Sequence, residues 1–457
     1  MTDDALSGSQ RITLTVMSCA FACLLLSILA GGLAALYYLP PLASLAQGFG
    51  ISLVELRPLH TTFASSWIFL GVTACVLYFL FDTVGPTPTE KLRLKAQLTC
   101  WGLAGLGALV TLSMGITTGR EYLGFHPLIS ALVLAGWFLF AFTFFRRVGR
   151  GFFARGVYVY MWGAGILYFI YTFVEGHAYL LPGIEKHPIA DLQIQWKSCG
   201  TLVAAFNQMV YGSLIFVGEK MTGDTRAAHS KTSFALFFVG LLNSFTNYAH
   251  HTYHIPQDHL IKWIAFCVSM LEIILLVLVF REVTQLMRRK PGSSLDYRTS
   301  VRFIEYSKCW NACLLTLALL ISVPPLNSLI HGTHVVMAHA MGSELAIDSY
   351  ILFAVFAYIL STVFPKREVR REFIDSPRVR RIARTLNAAL VALVLWLLVR
   401  GLAVGVTRYL GRREPDWLEP FPYVFAFLGV TVGIFLTRLV FAWAPLMLHA
   451  ERYKRWR

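Results

Sequence analysis

His331-Gly332-Thr333-His334-Val335-Val336-Met337-Ala338-His339-Ala340-Met341 leads into an apolar run that continues to 364. The reading of the whole chain starts here. Two residues apart, His339 and Met341 lie about 200° apart around an α-helix, so they face opposite sides and can each address a different cofactor. A histidine buried in a membrane span is costly and marks function more often than accident. The chain holds others in similar places: His60 opens the apolar segment 60–82, and His250 and His251 close 233–253. Cys199 lies near the start of 196–218. Convergence of such side chains at one depth points to a buried metal or haem centre in an intramembrane redox protein.

Composition supplies the setting. Of 457 residues, 56% are hydrophobic and 14% charged, against ~45–50% and ~25% for a soluble domain. Segments long enough to cross a bilayer, roughly 20 residues each, recur at 13–39, 60–82, 98–117, 126–145, 156–176, 196–218, 233–253, 260–281, 306–330, 335–364, 386–407 and 421–445. We therefore expect an all-α polytopic membrane protein of about twelve helices. Its divisions are a cytoplasmic tail at 1–12, a membrane domain at 13–445 and a basic cytoplasmic tail at 446–457.

The net charge of +15 does not point to nucleic acid, because the basic residues gather in every second loop. Arg146, Arg147, Arg150 and Arg155 follow the fourth segment, and Arg288, Arg289, Lys290 and Arg298 the eighth. Eight more, from Lys366 to Arg384, separate the tenth from the eleventh, while Arg408, Arg412 and Arg413 are the main exception. By the positive-inside bias both termini are cytoplasmic, in what reads as a bacterial inner membrane, and the basic loops meet anionic lipid. This topology uses no histidine, yet it puts His60, Cys199, His250, His251, His339 and Met341 in the outer half of the membrane. The eight cysteines lie within or beside apolar segments, and no Cys-x-x-Cys-His haem-attachment motif occurs.

Each side chain also has a plainer reading. A lone interfacial histidine is often structural, and a lone methionine commonly fills an irregular core. The set is harder to dismiss than its members. His250 and His251 are about 100° apart on a helix, so rotation of their side chains can bring both imidazoles to one metal. Glu344 and Asp348, three and seven residues after Met341, fall near its face under α-helical periodicity. They read either as proton carriers or as polar contacts between helices.

At these residues the chain resembles the haem-copper oxidase superfamily, and most closely the large catalytic subunit of cytochrome c-dependent nitric oxide reductase. The resemblance covers almost the whole chain. It rests on Arg57-Pro-Leu-His60-Thr, Gly119-Arg120-Glu121-Tyr122, His250-His251, Leu271-Glu272, His331-Gly-Thr-His334 and Ala338-His339. It implies that His60 is an axial ligand of a low-spin haem b, that His339 is the proximal ligand of a high-spin haem b, and that His250 and His251 bind a non-haem iron. It further implies that Glu121 helps hold calcium between haem propionates and that Glu272 lies near the catalytic pocket.

The chain also departs from the pattern. The family's His-x-His becomes His339-Ala340-Met341, so a thioether replaces the second low-spin ligand or that ligand is lost; His/Met ligation raises haem potential. Alignment on Lys220-Met221-Thr222-Gly223 puts Cys199, Val203 and Asn207 where the family has a third iron-binding histidine and two glutamates. Two imidazoles and a thiolate suit iron or copper in a softer site. His177 is a further candidate for the missing ligand.

The function implied is reduction of a small gas such as nitric oxide, with electrons from a membrane-anchored or periplasmic c-type cytochrome on another chain. A second expectation is a paralogue that has lost this reaction and serves in electron transfer, gas binding or reduction of another small molecule. A twelve-helix transporter fits the span count but leaves the histidines unexplained.

Overall fold

The computed structural model describes residues 6–184, 186–246, 252–253, 256, 258–289 and 296–454. Among the described residues it is helical, with no strand. Eleven helices are long and apolar enough to cross a membrane. They are α1 (Gly8–Leu36), α2 (Leu53–Phe81), α3 (Pro88–Ser113), α4 (Pro127–Val148), α5 (Val157–Glu175), α6 (Pro188–Thr222), α8 (His259–Arg289), α9 (Arg298–Ser322), α10 (His334–Val363), α11 (Pro377–Tyr409) and α12 (Phe421–Leu448). Between α6 and α8 lies α7 (Lys231–Thr246), described over only part of the segment expected to cross.

Local chemistry fixes the starts of the first three helices. Ser7 with Gln10, Ser52 with Glu55, and Thr87 with Glu90 form capping boxes, in which side chain and backbone at each end satisfy one another's free N–H groups. The Ser7 cap starts α1 at Gly8, earlier than its apolar run begins.

The core lies around three helices. In α2, α6 and α10, 72%, 89% and 94% of the most apolar window is enclosed by protein, against 22–61% in the other eight spans. These three also pack against one another. They carry His60, Cys199, His339 and Met341, so the expected ligand residues sit on the innermost helices rather than on those facing lipid.

Candidate functional site

His60 lies in α2 beside α1, its closest packing partner. The His60 Nδ1 lies 2.9 Å from the Ser27 carbonyl, and the Ser27 hydroxyl donates to the His60 carbonyl at 3.1 Å. Donation from Nδ1–H to that carbonyl leaves Nε2 with its lone pair. Metal-bound histidines are oriented in this way by a partner on the other nitrogen. Gly31 makes the approach possible, since a Cβ there would lie 2.6 Å from the His60 Nδ1.

In α10, His334–Gly342 is regular α-helix, which preserves the opposed directions of His339 and Met341. The His339 Nδ1 is buried without a hydrogen bond of proper geometry, with the Leu314 backbone beside the ring. Met341 is partly buried against the core.

From Ser343 to Asp348 the helix widens into a π-helical turn. The α-helical projection of Asp348 onto the Met341 face therefore does not hold, because hydrogen bonds here run from i to i+5, whereas Glu344 stands near the start of the wide turn. Ser349 fixes this turn: its N–H and its hydroxyl both donate to the Glu344 carbonyl, the hydroxyl at 2.8 Å. The same hydroxyl accepts from the Trp67 indole of α2 at 2.9 Å. The Glu344 carboxylate instead accepts from the Tyr122 hydroxyl at 3.5 Å. Asp348 is 3% exposed, and its Oδ1 has no partner.

Tyr122 ends the loop segment Gly119-Arg120-Glu121-Tyr122. Gly119 has φ +72°, and Tyr122, at φ +58°, is the one non-glycine with positive φ among the described residues. Such strain in an aromatic residue persists only where its surroundings over-determine it. Glu344, burial and Glu121 together push the Tyr122 hydroxyl well above the usual phenol range, which keeps it a donor. The loop is tied down on both sides. Glu121 pairs with Arg57 at 2.7 Å, and Arg120 grips Asp191 through two hydrogen bonds of 2.9 and 2.8 Å while covering the Tyr179 ring.

Cys199 faces this loop, its thiol 3.7 Å from the Glu121 carbonyl. Thr201, about 200° further round α6, donates to Ser244 of α7 at 2.8 Å. The structure thus brings Cys199 beside Glu121 and turns a different face of α6 to α7. His177 has both ring nitrogens occupied, by the Phe173 carbonyl at 2.6 Å and the Ser130 hydroxyl at 2.8 Å, and is a structural histidine. His250 and His251 lie outside the described residues. Among those described, no three His, Cys, Asp or Glu side chains gather as a metal site.

Glu272 on α8 accepts from Asn243 of α7, whose carbonyl oxygen accepts from Ser269 at 2.9 Å. Gln208 reaches the same spot from α6: Gly240 is in contact range of both its amide and the Glu272 carboxylate. Ser27, Trp67, Gln208, Asn243 and Ser349 went unnoticed in the sequence, since single polar residues in apolar helices carry no spacing signal.

This geometry, an oriented imidazole on one inner helix and a half-buried one on another, agrees with the comparisons. A sequence model of the family described as cytochrome c and quinol oxidase polypeptide I matches residues 11–456. The chain belongs to this family. It is thus a member of the haem-copper oxidase superfamily, a group of multi-pass membrane respiratory oxidoreductases that carry haem and a copper or other metal centre. The structure of a heme-copper terminal oxidase dimer is similar over 99% of this chain and 85% of that one, with a TM-score of 0.71 at 12% identity. No curated protein matches in sequence.

The polypeptide I residues fit the haem such a family carries. His60 offers Nε2 from a ring fixed at Nδ1, and His339 offers a half-buried imidazole whose Nδ1 lies inside the protein beside the Leu314 backbone.

Proposed function

We propose that this chain is a divergent nitric oxide reductase-like membrane oxidoreductase, in which electrons from a periplasmic or membrane-anchored c-type cytochrome pass through a low-spin haem b to a high-spin haem b beside a non-haem iron or copper. The observation that supports it most is the His60 ring, with Nδ1 engaged by the Ser27 carbonyl and Nε2 left for a metal. His60 and Met341 would hold the low-spin haem and His339 the high-spin one. Haem supplies one-electron chemistry and an open iron position for a small gas.

The protein's own groups do the rest. Arg57 and Glu121 set charge at the outer end of α2, where haem propionates or calcium would be met. His250 and His251 would hold the second metal, with Cys199 as a candidate third ligand, and Glu272, tethered by Asn243, would exchange protons beside it. Reduction of two nitric oxide molecules takes two electrons and two protons and gives nitrous oxide and water.

The direction of Cys199 toward Glu121 favours a second reading, a haem-bearing paralogue without this chemistry. Haem and metal analysis of the purified chain, with nitric oxide consumption under a reduced cytochrome, separates the two. The first reading expects two haems, one further metal lost in the His250→Ala/His251→Ala variant, and turnover. Haem without the further metal or turnover would establish the second.

A further inference from the structure

We propose that Arg302 of α9 with Arg380 and Arg384 of α11 forms a headgroup site for an anionic phospholipid, whose acyl chains lie along the apolar faces that continue from these arginines.

The two helices run in the same direction and are tied at two levels. At their starts the Asp375 carboxylate accepts from the Thr299 N–H at 3.0 Å and from the Thr299 hydroxyl at 2.8 Å. Further in, the Trp310 indole donates to the Asn387 side chain at 2.8 Å. On α9 the ties are eleven residues apart, roughly 16 Å at 1.5 Å per residue, which leaves room for a phosphate between them. Arg302 and Tyr306 lead from Thr299 to Trp310 in steps of three and four residues, and Arg380 and Arg384 lead to Asn387 in the same way. Both rows therefore border the space between the ties. The charges of Arg380 and Arg384 both reach Arg302, as this placement requires.

The protein does not neutralise this cluster. Among the described residues no carboxylate lies within ion-pair distance of Arg302, Arg380 or Arg384, and the acids nearest in the two rows are engaged elsewhere. Asp375 is held by Thr299 and lies 3.9 Å from Arg370, and Glu305 pairs with Arg288 at 3.3 Å and Lys308 at 4.0 Å. Arg302 is half-buried while Arg380 and Arg384 are exposed, so an anion can enter from outside. Guanidinium forks match the oxygens of a phosphodiester in pairs.

A second observation favours a lipid over a free phosphate. Beyond the arginines both rows continue outward-facing and apolar: Val391, Leu395 and Leu402 follow Arg384 at helical steps, and Cys309, Cys313 and Leu320 follow Tyr306, all of them exposed. Acyl chains would cover these faces, and a phosphate ion would not. Trp310 and Tyr306 stand at the junction between arginines and apolar face, the level at which aromatic side chains meet headgroups. Loop charge assigns this end of the bundle to the cytoplasmic leaflet, whose anionic lipids are drawn to basic pockets between spans.

The test is native mass spectrometry of the chain purified in detergent and titrated with dioleoyl phosphatidylglycerol or dioleoyl phosphatidylcholine. The site predicts preferential binding of phosphatidylglycerol, weakened by about tenfold or more in Arg302→Gln/Arg380→Gln/Arg384→Gln and largely kept in Arg302→Lys/Arg380→Lys/Arg384→Lys. Arg367→Gln/Arg371→Gln/Arg378→Gln removes as much charge from exposed positions of the preceding segment and should leave binding within about twofold of the parent. Phosphatidylglycerol should also raise the unfolding temperature of the parent more than that of the first variant. Should that variant not fold, Arg384→Glu, a single exposed change, should weaken binding in the same direction, and unchanged affinity there would overturn the site. Equal binding of the two lipids, equal losses in the two glutamine variants, or displacement of phosphatidylglycerol by millimolar inorganic phosphate would overturn it as well.

Discussion

His60 is held in place from two sides, by a carbonyl that takes its Nδ1–H and by a glycine that leaves room for the ring. Replacement of His60 by alanine is expected to abolish the low-spin haem spectrum and leave a high-spin one; an unchanged low-spin spectrum would refute the assignment. Gly31→Ala tests the second constraint. The added methyl must displace the imidazole or part α1 from α2, at a cost of about 1–3 kcal/mol as overpacking, so a perturbed low-spin spectrum and a lower unfolding temperature are expected together. Met341→His should lower the low-spin midpoint potential, because imidazole donates more strongly to ferric iron than a thioether does. Equal potentials in a redox titration of parent and variant would make Met341 a packing residue. The histidines were legible in the sequence because their cost in a membrane is high, whereas Ser27 and Gly31 act through a backbone oxygen and a missing side chain.

At the scale of elements, the wide turn in α10 is where reading by period gave a wrong direction for Asp348. A constant advance of 3.6 residues per turn put Glu344 and Asp348 near the Met341 face, but the Ser349 hydroxyl, shared between the Glu344 carbonyl and the Trp67 indole, stabilises an i to i+5 turn that rotates Asp348 away. Ser349→Ala removes both hydrogen bonds and leaves a buried indole N–H unpaired, a loss of about 1–3 kcal/mol. We expect a lower unfolding temperature in detergent. A variant that unfolds at the parent's temperature would show that the turn does not depend on Ser349.

For the whole molecule, hydropathy and loop charge were enough to give a polytopic helical bundle, because hydrocarbon allows few other ways to satisfy a backbone. They could not tell which helices would be central. That follows from the mutual packing of α2, α6 and α10, contacts made between residues far apart in the chain. The same limit hid the direction of Cys199, which depends on where the loop at Gly119–Tyr122 folds back over α6. The inner helices carry His60 and His339, and the account stands or falls on their binding haem. Its most direct test is haem quantification with a reduced-minus-oxidised spectrum for the parent, His60→Ala and His339→Ala. The account predicts two b-type haems in the parent, loss of the low-spin one in the first variant and of the high-spin one in the second. A folded parent without haem, or variants that keep both haems, would contradict it.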